Sequence, residues 1–362
     1  VEAGNKRLFY ITSSRNRWLM EASLEDAYRS VPFGQVALLY NLDRYGWKAQ
    51  KSGFHASVCP WQVARTMKQF KPSMVLTSGT TGFSPVFARR MSRYSVPIVI
   101  AWEDYYDVLW RANFGRVAGA FMRWFERQLV IRSDYVITIS LYNKSRAEAW
   151  GKKTWYVPNG CDVPEYDQSK CAVRLEGKMN LVYCGDQGPY KQAGDIIKVM
   201  GAVPPEIKLY LVGDPNPAFH KYASSNVIFL GRLSENDKWA VMSRADVLVC
   251  TANTDCNAKF HEYLRMGKPI LGYDGIPNYL FNNRRNALLT KDYPSAIMEL
   301  YRSPELRRSL AENAAKDIPV YEWREIARRF DLALLEIQDE YRSRTTRLAN
   351  GRGCLAHQTE GL

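Results

Sequence analysis

Short apolar runs alternate with longer amphipathic stretches along the chain. Leu8 to Ile11, Val36 to Tyr40, Met74 to Thr77, Val96 to Ala101 and Tyr135 to Ile139 are apolar throughout or nearly so, and polar or turn-forming residues bound them. Runs of this kind predict strands buried on both faces, as in a parallel sheet. Pro85 to Tyr94 and Arg116 to Arg132 read as helices between them. The pattern then restarts with Asn180 to Cys184, Lys208 to Val212, Val227 to Leu230, Asp246 to Cys250 and Pro269 to Gly272. Between the two series, from Tyr156 to Glu176, lie Pro158-Asn159-Gly160 and Pro164, the chemistry of a turn or linker. The expected organisation is two α/β units, residues 1–160 and 161–320, then a helix over 321–341 and a polar tail over 342–362. Ligands of open parallel sheets bind beyond the carboxyl ends of the strands. The residues at those ends are therefore the candidates for function.

Composition narrows the picture. At 362 residues the chain is long enough for two ordinary cores. No apolar run approaches the ~18–20 residues of a membrane-spanning helix. Leu8 to Ile11 is also too short for the core of a signal peptide. Seven cysteines are scattered without a Cys-x-x-Cys pair, which argues against a disulfide framework and suits a reducing cytosol. Lysine and arginine exceed the acids by 50 to 37, a net charge of +13. That surplus attracts phosphates, anionic lipid headgroups or nucleic acid, and does not choose among them.

The densest chemistry lies between Asp255 and Pro269. Asn257 is placed to cap a helix, Gly267 to end it and Pro269 to open the next strand. Lys259 and Glu262 then share one helix face near its N-terminus, where backbone N–H groups favour an anion. A lysine there can neutralise a diphosphate, and the carboxylate can accept hydrogen bonds from ribose hydroxyls. A solvated Lys–Glu pair is the plainer reading. His261-Glu262 starts like a zinc-protease helix, but Arg265 occupies the position of the second histidine, so no metal is expected. In the first half, Ser14 and Arg15 follow one strand and Ser78, Gly79 and Thr80 another. Ser78 to Gly82 is not a P-loop, because no lysine follows the last glycine. It reads as an ordinary turn or as part of a cleft. Trp102, Tyr105, Tyr106 and Trp110 are equally candidates for core or for stacking on a sugar. Arg123 to Arg127 reads as an ordinary amphipathic helix or as one that rests on a membrane surface.

The segment ending Glu262-Tyr263-x-x-x-Gly267-Lys268-Pro269 resembles the donor motif of the retaining family-4 glycosyltransferases. Asp134 to Ser140, Pro158-Asn159-Gly160-Cys161-Asp162, Tyr183-Cys184-Gly185 with Lys191, Val212-Gly213-Asp214, Leu230-Gly231, Asn286 to Leu289 and Tyr321-Glu322-Trp323 follow the family's order. The resemblance covers about Ser133 to Tyr341; before Ser133 it is topological. It implies the GT-B fold: two Rossmann-like domains facing across a cleft, with a C-terminal helix crossing back to the first. It implies a nucleoside-diphosphate sugar as co-substrate, no required cofactor or metal, and retention at the anomeric carbon. Carried over by position, Gly185, Asp186, Lys191, Gly213, Asp214, Gly231, Arg232, Leu233, Lys259 and Glu262 bind the donor. Asp255, Asp104, Lys191 and Lys259 are the catalytic candidates. Ser14, Arg15, Ser78, Gly79, Thr80, Trp102, Glu103 and Tyr105 line the acceptor side. Asp186 stands where the family's loop has arginine, and Asp255 is one residue closer to the second motif acid than usual.

The expected acceptor is a cell-surface glycan or a lipid-linked saccharide, met in the cytoplasm or at the inner face of an anionic membrane. The alternatives are glycosylation of DNA bases or other nucleic acid on the same fold, another enzyme of that scaffold such as an epimerase or phosphorylase, and a catalytically weakened nucleotide-sugar-binding protein.

Overall fold

The first series of elements is β1 (Arg7–Ile11), α1 (Gly34–Asp43), β2 (Lys48–Ser52), α2 (Pro60–Phe70), β3 (Met74–Ser78), α3 (Ser84–Ser92), β4 (Ile98–Trp102), α4 (Tyr106–Phe114), α5 (Arg116–Arg132), β5 (Tyr135–Thr138), α6 (Leu141–Ala149) and β6 (Thr154–Tyr156) in a computed structural model. It describes residues 6–11, 25, 34–52, 59–79 and 84–359. The strands form a six-stranded parallel sheet in the order β2-β1-β3-β4-β5-β6. β3 and β4 are buried at every position, as their largely apolar sequences allow. One face carries Phe9, Ile11, Val75 and Ile98 into a core with Val63 and Met67 of α2.

One expected strand is a helix. Val36 to Tyr40 lies inside α1, and the strand that follows is the polar β2, Lys48-Ala49-Gln50-Lys51-Ser52. A five-residue apolar run suits a buried helix face as well as a strand. β2 is an edge strand paired only with β1, so it has no need of an apolar sequence.

The second series runs β7 (Met179–Cys184), α7 (Ala193–Val199), β8 (Ile207–Val212), α8 (Pro217–His220), β9 (Val227–Gly231), α9 (Glu235–Arg244), β10 (Val247–Cys250), α10 (Ala258–Arg265), β11 (Ile270–Tyr273), β12 (Leu288–Thr290), α11 (Tyr293–Arg302), α12 (Pro304–Asp317) and α13 (Trp323–Thr359). Its six parallel strands are ordered β12-β11-β10-β7-β8-β9. Alternate residues feed two cores. Val182, Cys184, Tyr210, Val212, Leu248 and Cys250 enter one, and Leu181, Tyr183, Leu209, Leu211, Val247 and Val249 the other. The chain reverses direction across each sheet at one place, between β1 and β3 in the first and between β7 and β10 in the second. The crevice at such a reversal is where open α/β sheets hold ligands.

Contacts group Val1–Asp104, Met122–Pro158 and Trp323–Leu362 into one unit, and Tyr105–Phe121 with Asn159–Glu322 into the other. In the first unit α13 is tied down by buried polar bonds. Asp331 accepts from Lys6 Nζ at 2.8 Å and from Trp47 Nε1 at 2.7 Å, and Gln338 donates to Ser73 Oγ at 2.8 Å. α13 continues to Thr359, well past the Tyr341 where the sequence reading places its end. No proline interrupts that stretch, and glycine weakens a helix without stopping it.

Candidate active site

The carboxyl ends of β7, β8 and β9 make a backbone ledge of three glycines. Gly185 N–H donates to the Val212 carbonyl at 2.9 Å, and Gly213 N–H to the Gly231 carbonyl at 2.9 Å. Gly213 has φ +129°. A Cβ there would stand 2.3 Å from the Gly185 carbonyl oxygen, so no other residue fits. The ledge ends at Asp214 and Arg232, an exposed pair in which the guanidinium grips both carboxylate oxygens, one of them at 2.6 Å. Leu233 is partly buried against the core behind.

Beyond β7 the chain turns through Gly185-Asp186-Gln187-Gly188 to Lys191. Asp186 is exposed and stabilises its own turn by accepting the Gly188 N–H at 2.9 Å. Its carbonyl accepts from Tyr183 Oη at 2.6 Å. Thr251, just past β10, donates to the Lys191 carbonyl at 2.7 Å, which brings the lysine's turn to the reversal point of the sheet.

α10 starts at the same point. Asn257 caps it by accepting the Lys259 N–H at 3.2 Å. Lys259 Nζ lies 2.7 and 2.6 Å from the two carboxylate oxygens of Glu262. Burial works to lower the Lys259 pKa, but Cys184 and Glu262 outweigh it and the net shift is upward. The ammonium is therefore held charged in a half-buried position. Both lysines act on one thiol. Burial pushes Cys250, at the end of β10, up to about 11, while Lys191 and Lys259 pull it back. The turn that carries Lys191 and the start of the helix that carries Lys259 both lie beside the end of the strand where the sheet reverses.

Two tyrosines that the sequence reading did not give these tasks position the motif. Tyr263 is fully buried. Its Oη accepts the Cys184 N–H at 3.0 Å and faces the Val249 carbonyl at 3.2 Å. It thereby fixes α10 to the ends of β7 and β10. Tyr105, also fully buried, donates to the Asp255 carboxylate and accepts the Asp255 N–H at 3.5 Å. The signal for Tyr263 was its place beside Glu262 in the motif; nothing local linked Tyr105 to Asp255. Asn159 of the interdomain turn donates to the Cys256 carbonyl at 3.1 Å and steadies the same loop.

Asp255 is buried, with 3% of its surface exposed, so it does not lie open to solvent. His261 is buried on α10 with Nδ1 unpartnered, and burial pulls its pKa down to about 4. A neutral imidazole of that kind is a poor proton donor near pH 7. Among the described residues, no three His, Cys, Asp or Glu side chains gather as a metal site.

The first unit holds the other candidates. Ser78 is buried and donates to Glu103 at 3.1 Å, and Gly79 N–H donates to the Ala101 carbonyl at 2.6 Å. Asp104 is exposed just beyond β4. Trp102, a candidate for stacking on an acceptor, is wholly buried instead. It stacks on Trp150 at 5.7 Å and packs under the Arg146 guanidinium at 4.8 Å. Its indole completes the core around the buried Arg146–Glu126 ion pair of 3.0 Å. Tyr105 is likewise buried, against Asp255. Ser14, Arg15 and Thr80 fall outside the described residues.

Comparison with known proteins bears on the fold. Residues 20–160 match the model of the glycosyl transferase 4-like domain. That match lies in the half where the motif resemblance is weakest. Among curated proteins none matches the sequence. HepE of Anabaena, solved in complex with UDP, superposes with a TM-score of 0.64 at 15% identity, covering 91% of this chain and 100% of that one. Sucrose-phosphate synthase from Thermosynechococcus elongatus gives a TM-score of 0.70 at 14% identity, over 91% of this chain and 99% of that one. The lipopolysaccharide outer core galactosyltransferase WaaB, in its apo form, gives 0.56 at 13% identity, over 90% and 94%. Residues 20–160 thus resemble the glycosyl transferase 4-like domain, within a chain that has the fold of the GT-B glycosyltransferases.

Proposed function

We propose that the chain transfers a sugar from a nucleoside-diphosphate sugar to a glycan or lipid-linked saccharide, with retention and without a metal. The placement of the Lys191 turn and of the helix start carrying Lys259 beside the reversal point of the second sheet carries this reading. A leaving diphosphate gains charge in the transition state, and fixed positive groups aimed at it are the most effective catalysts. When the diphosphate takes the Lys259 ammonium, the Glu262 carboxylate is released to accept hydrogen bonds from the ribose. The glycine ledge from Gly185 to Gly231 leaves room for a flat base. The bond from the anomeric carbon to the phosphate oxygen breaks while the acceptor oxygen bonds on the same face. The acceptor proton passes to the leaving phosphate. No protein carboxylate then has to act as base, which suits the buried Asp255. Because HepE was solved with UDP, uridine donors are the first to test.

The acceptor side is read as a membrane surface. On α5, Val117, Phe121 and Trp124 recur at helical spacing with 85%, 53% and 55% exposure, and Arg116, Arg123 and Arg127 are exposed beside them. An apolar stripe edged with arginine fits an anionic bilayer. Among the described residues no helix is long and apolar enough to cross one. The described cysteines are free thiols, in keeping with a reducing compartment.

The test is a panel of nucleotide sugars with extracted lipid-linked saccharides as acceptors. Sugar transfer that keeps the anomeric configuration by NMR, undiminished by EDTA, is the expected result. Inversion, or no nucleotide release with any donor, overturns the reading.

A further inference from the structure

We infer that Tyr105 is a positioning residue that shapes the pocket for the donor's sugar through Asp255; this rests on the donor-site reading above. Tyr105 precedes α4, and the segment Tyr105–Phe121 groups with the second unit although its sequence neighbours do not. Two attachments hold it there. Tyr105 and Asp255 exchange hydrogen bonds in both directions, phenol to carboxylate and backbone N–H to phenol oxygen. α4 packs against the turn Pro189–Lys191. The segment therefore touches both loops that flank the sheet's reversal point, one with Lys191 and one leading from Thr251 to the Asn257 cap. A bond to the backbone alone would only steady that second loop. A bond to the carboxylate as well fixes which way Asp255 turns, two residues before the cap of the helix that carries Lys259. Asp255 is 3% exposed and Tyr105 fully buried, so the pair is sheltered from competing water. Lys191, Lys259 and the glycine ledge account for the nucleotide and its phosphates. In that reading Asp255, on the loop between β10 and α10, is the acid that meets the donor's sugar.

The test compares the nucleoside diphosphate with its sugar conjugate. For Tyr105→Phe, affinity for the diphosphate should stay within about twofold of wild type, while the extra affinity conferred by the sugar and the turnover of the donor fall by about tenfold or more. Asp255→Asn should do the same, and the double variant should be no worse than either single one, because the two act as a unit. Multiplying effects, or sugar discrimination left intact, overturn the inference. If the wild-type chain binds no nucleoside diphosphate, the donor-site reading fails first and takes this one with it. Should Tyr105→Phe not fold, 3-fluorotyrosine placed at 105 keeps the bond. Its fluorine resonance should move on adding the sugar nucleotide and not the diphosphate alone; equal shifts with both overturn the inference.

Discussion

Lys259 and Glu262, one turn apart on α10, hold each other with the ammonium within 2.7 Å of both carboxylate oxygens. The pair keeps a positive and a negative group ready in one half-buried place, each satisfied until a ligand separates them. Lys259→Ala should reduce donor turnover on the order of 100-fold or more, the usual loss for one fixed group facing developing charge. Lys191→Ala should do likewise. Steady-state nucleotide release measures both, and full activity in both variants would falsify the donor-site assignment.

Tyr263 is expected to matter for stability and binding together. Tyr263→Phe leaves the Cys184 N–H without its acceptor and frees α10 from the end of β10. A buried orphan of this kind costs about 1–3 kcal/mol, which urea unfolding reads as a lower midpoint. Nucleotide affinity should weaken in the same variant.

Gly213→Ala should cost at least about 2 kcal/mol, because the new Cβ would meet the Gly185 carbonyl oxygen at 2.3 Å in a left-handed backbone. Gly201→Ala is the control. Its Cβ would approach Ser224 no closer than 3.7 Å, an ordinary contact, so the melting temperature should barely move.

Acid should weaken the fold through His261. Its pKa falls to about 4 when buried, against ~6.5 in an unfolded chain. As pH drops below ~6.5 the unfolded chain takes up a proton that the folded one refuses, so stability declines until about pH 4, by about 3 kcal/mol in all. Denaturant midpoints of His261→Gln measured from pH 7 to 4 should decline less steeply than those of wild type.

The α5 stripe predicts co-flotation with vesicles rich in phosphatidylglycerol and little binding to pure phosphatidylcholine. Val117→Ser with Trp124→Ser should cut the bound fraction about tenfold. Equal binding to duplex DNA, abolished by salt and untouched by the substitutions, would instead mean that the charge acts without the stripe.

Most of the sheet architecture was legible, because strands buried on both faces must be largely apolar, as β3, β4 and β7 are. β2 was not, since an edge strand of lysine, glutamine and serine looks like a loop. Within the site, Lys259 and Glu262 could be paired from helical spacing alone. The Tyr105–Asp255 bond could not, for the partners are 150 residues apart and no local pattern links them. Trp102 shows the same limit in reverse. An aromatic at a strand end is as fit for a core as for a sugar, and the buried Arg146 below it settles the matter.

The route of the chain bears on how the protein is made. The unit built on the first sheet includes Trp323–Leu362, and Lys6 and Trp47 find their shared partner only in Asp331. A ribosome therefore releases the second sheet before the first can complete its bonds to Asp331 and Gln338. Lys6 and Trp47 thus wait for a partner made 325 and 284 residues later. Trimming residues from the C-terminal side should accordingly damage the N-terminal sheet first, and a protease that reaches the nascent chain should cut there.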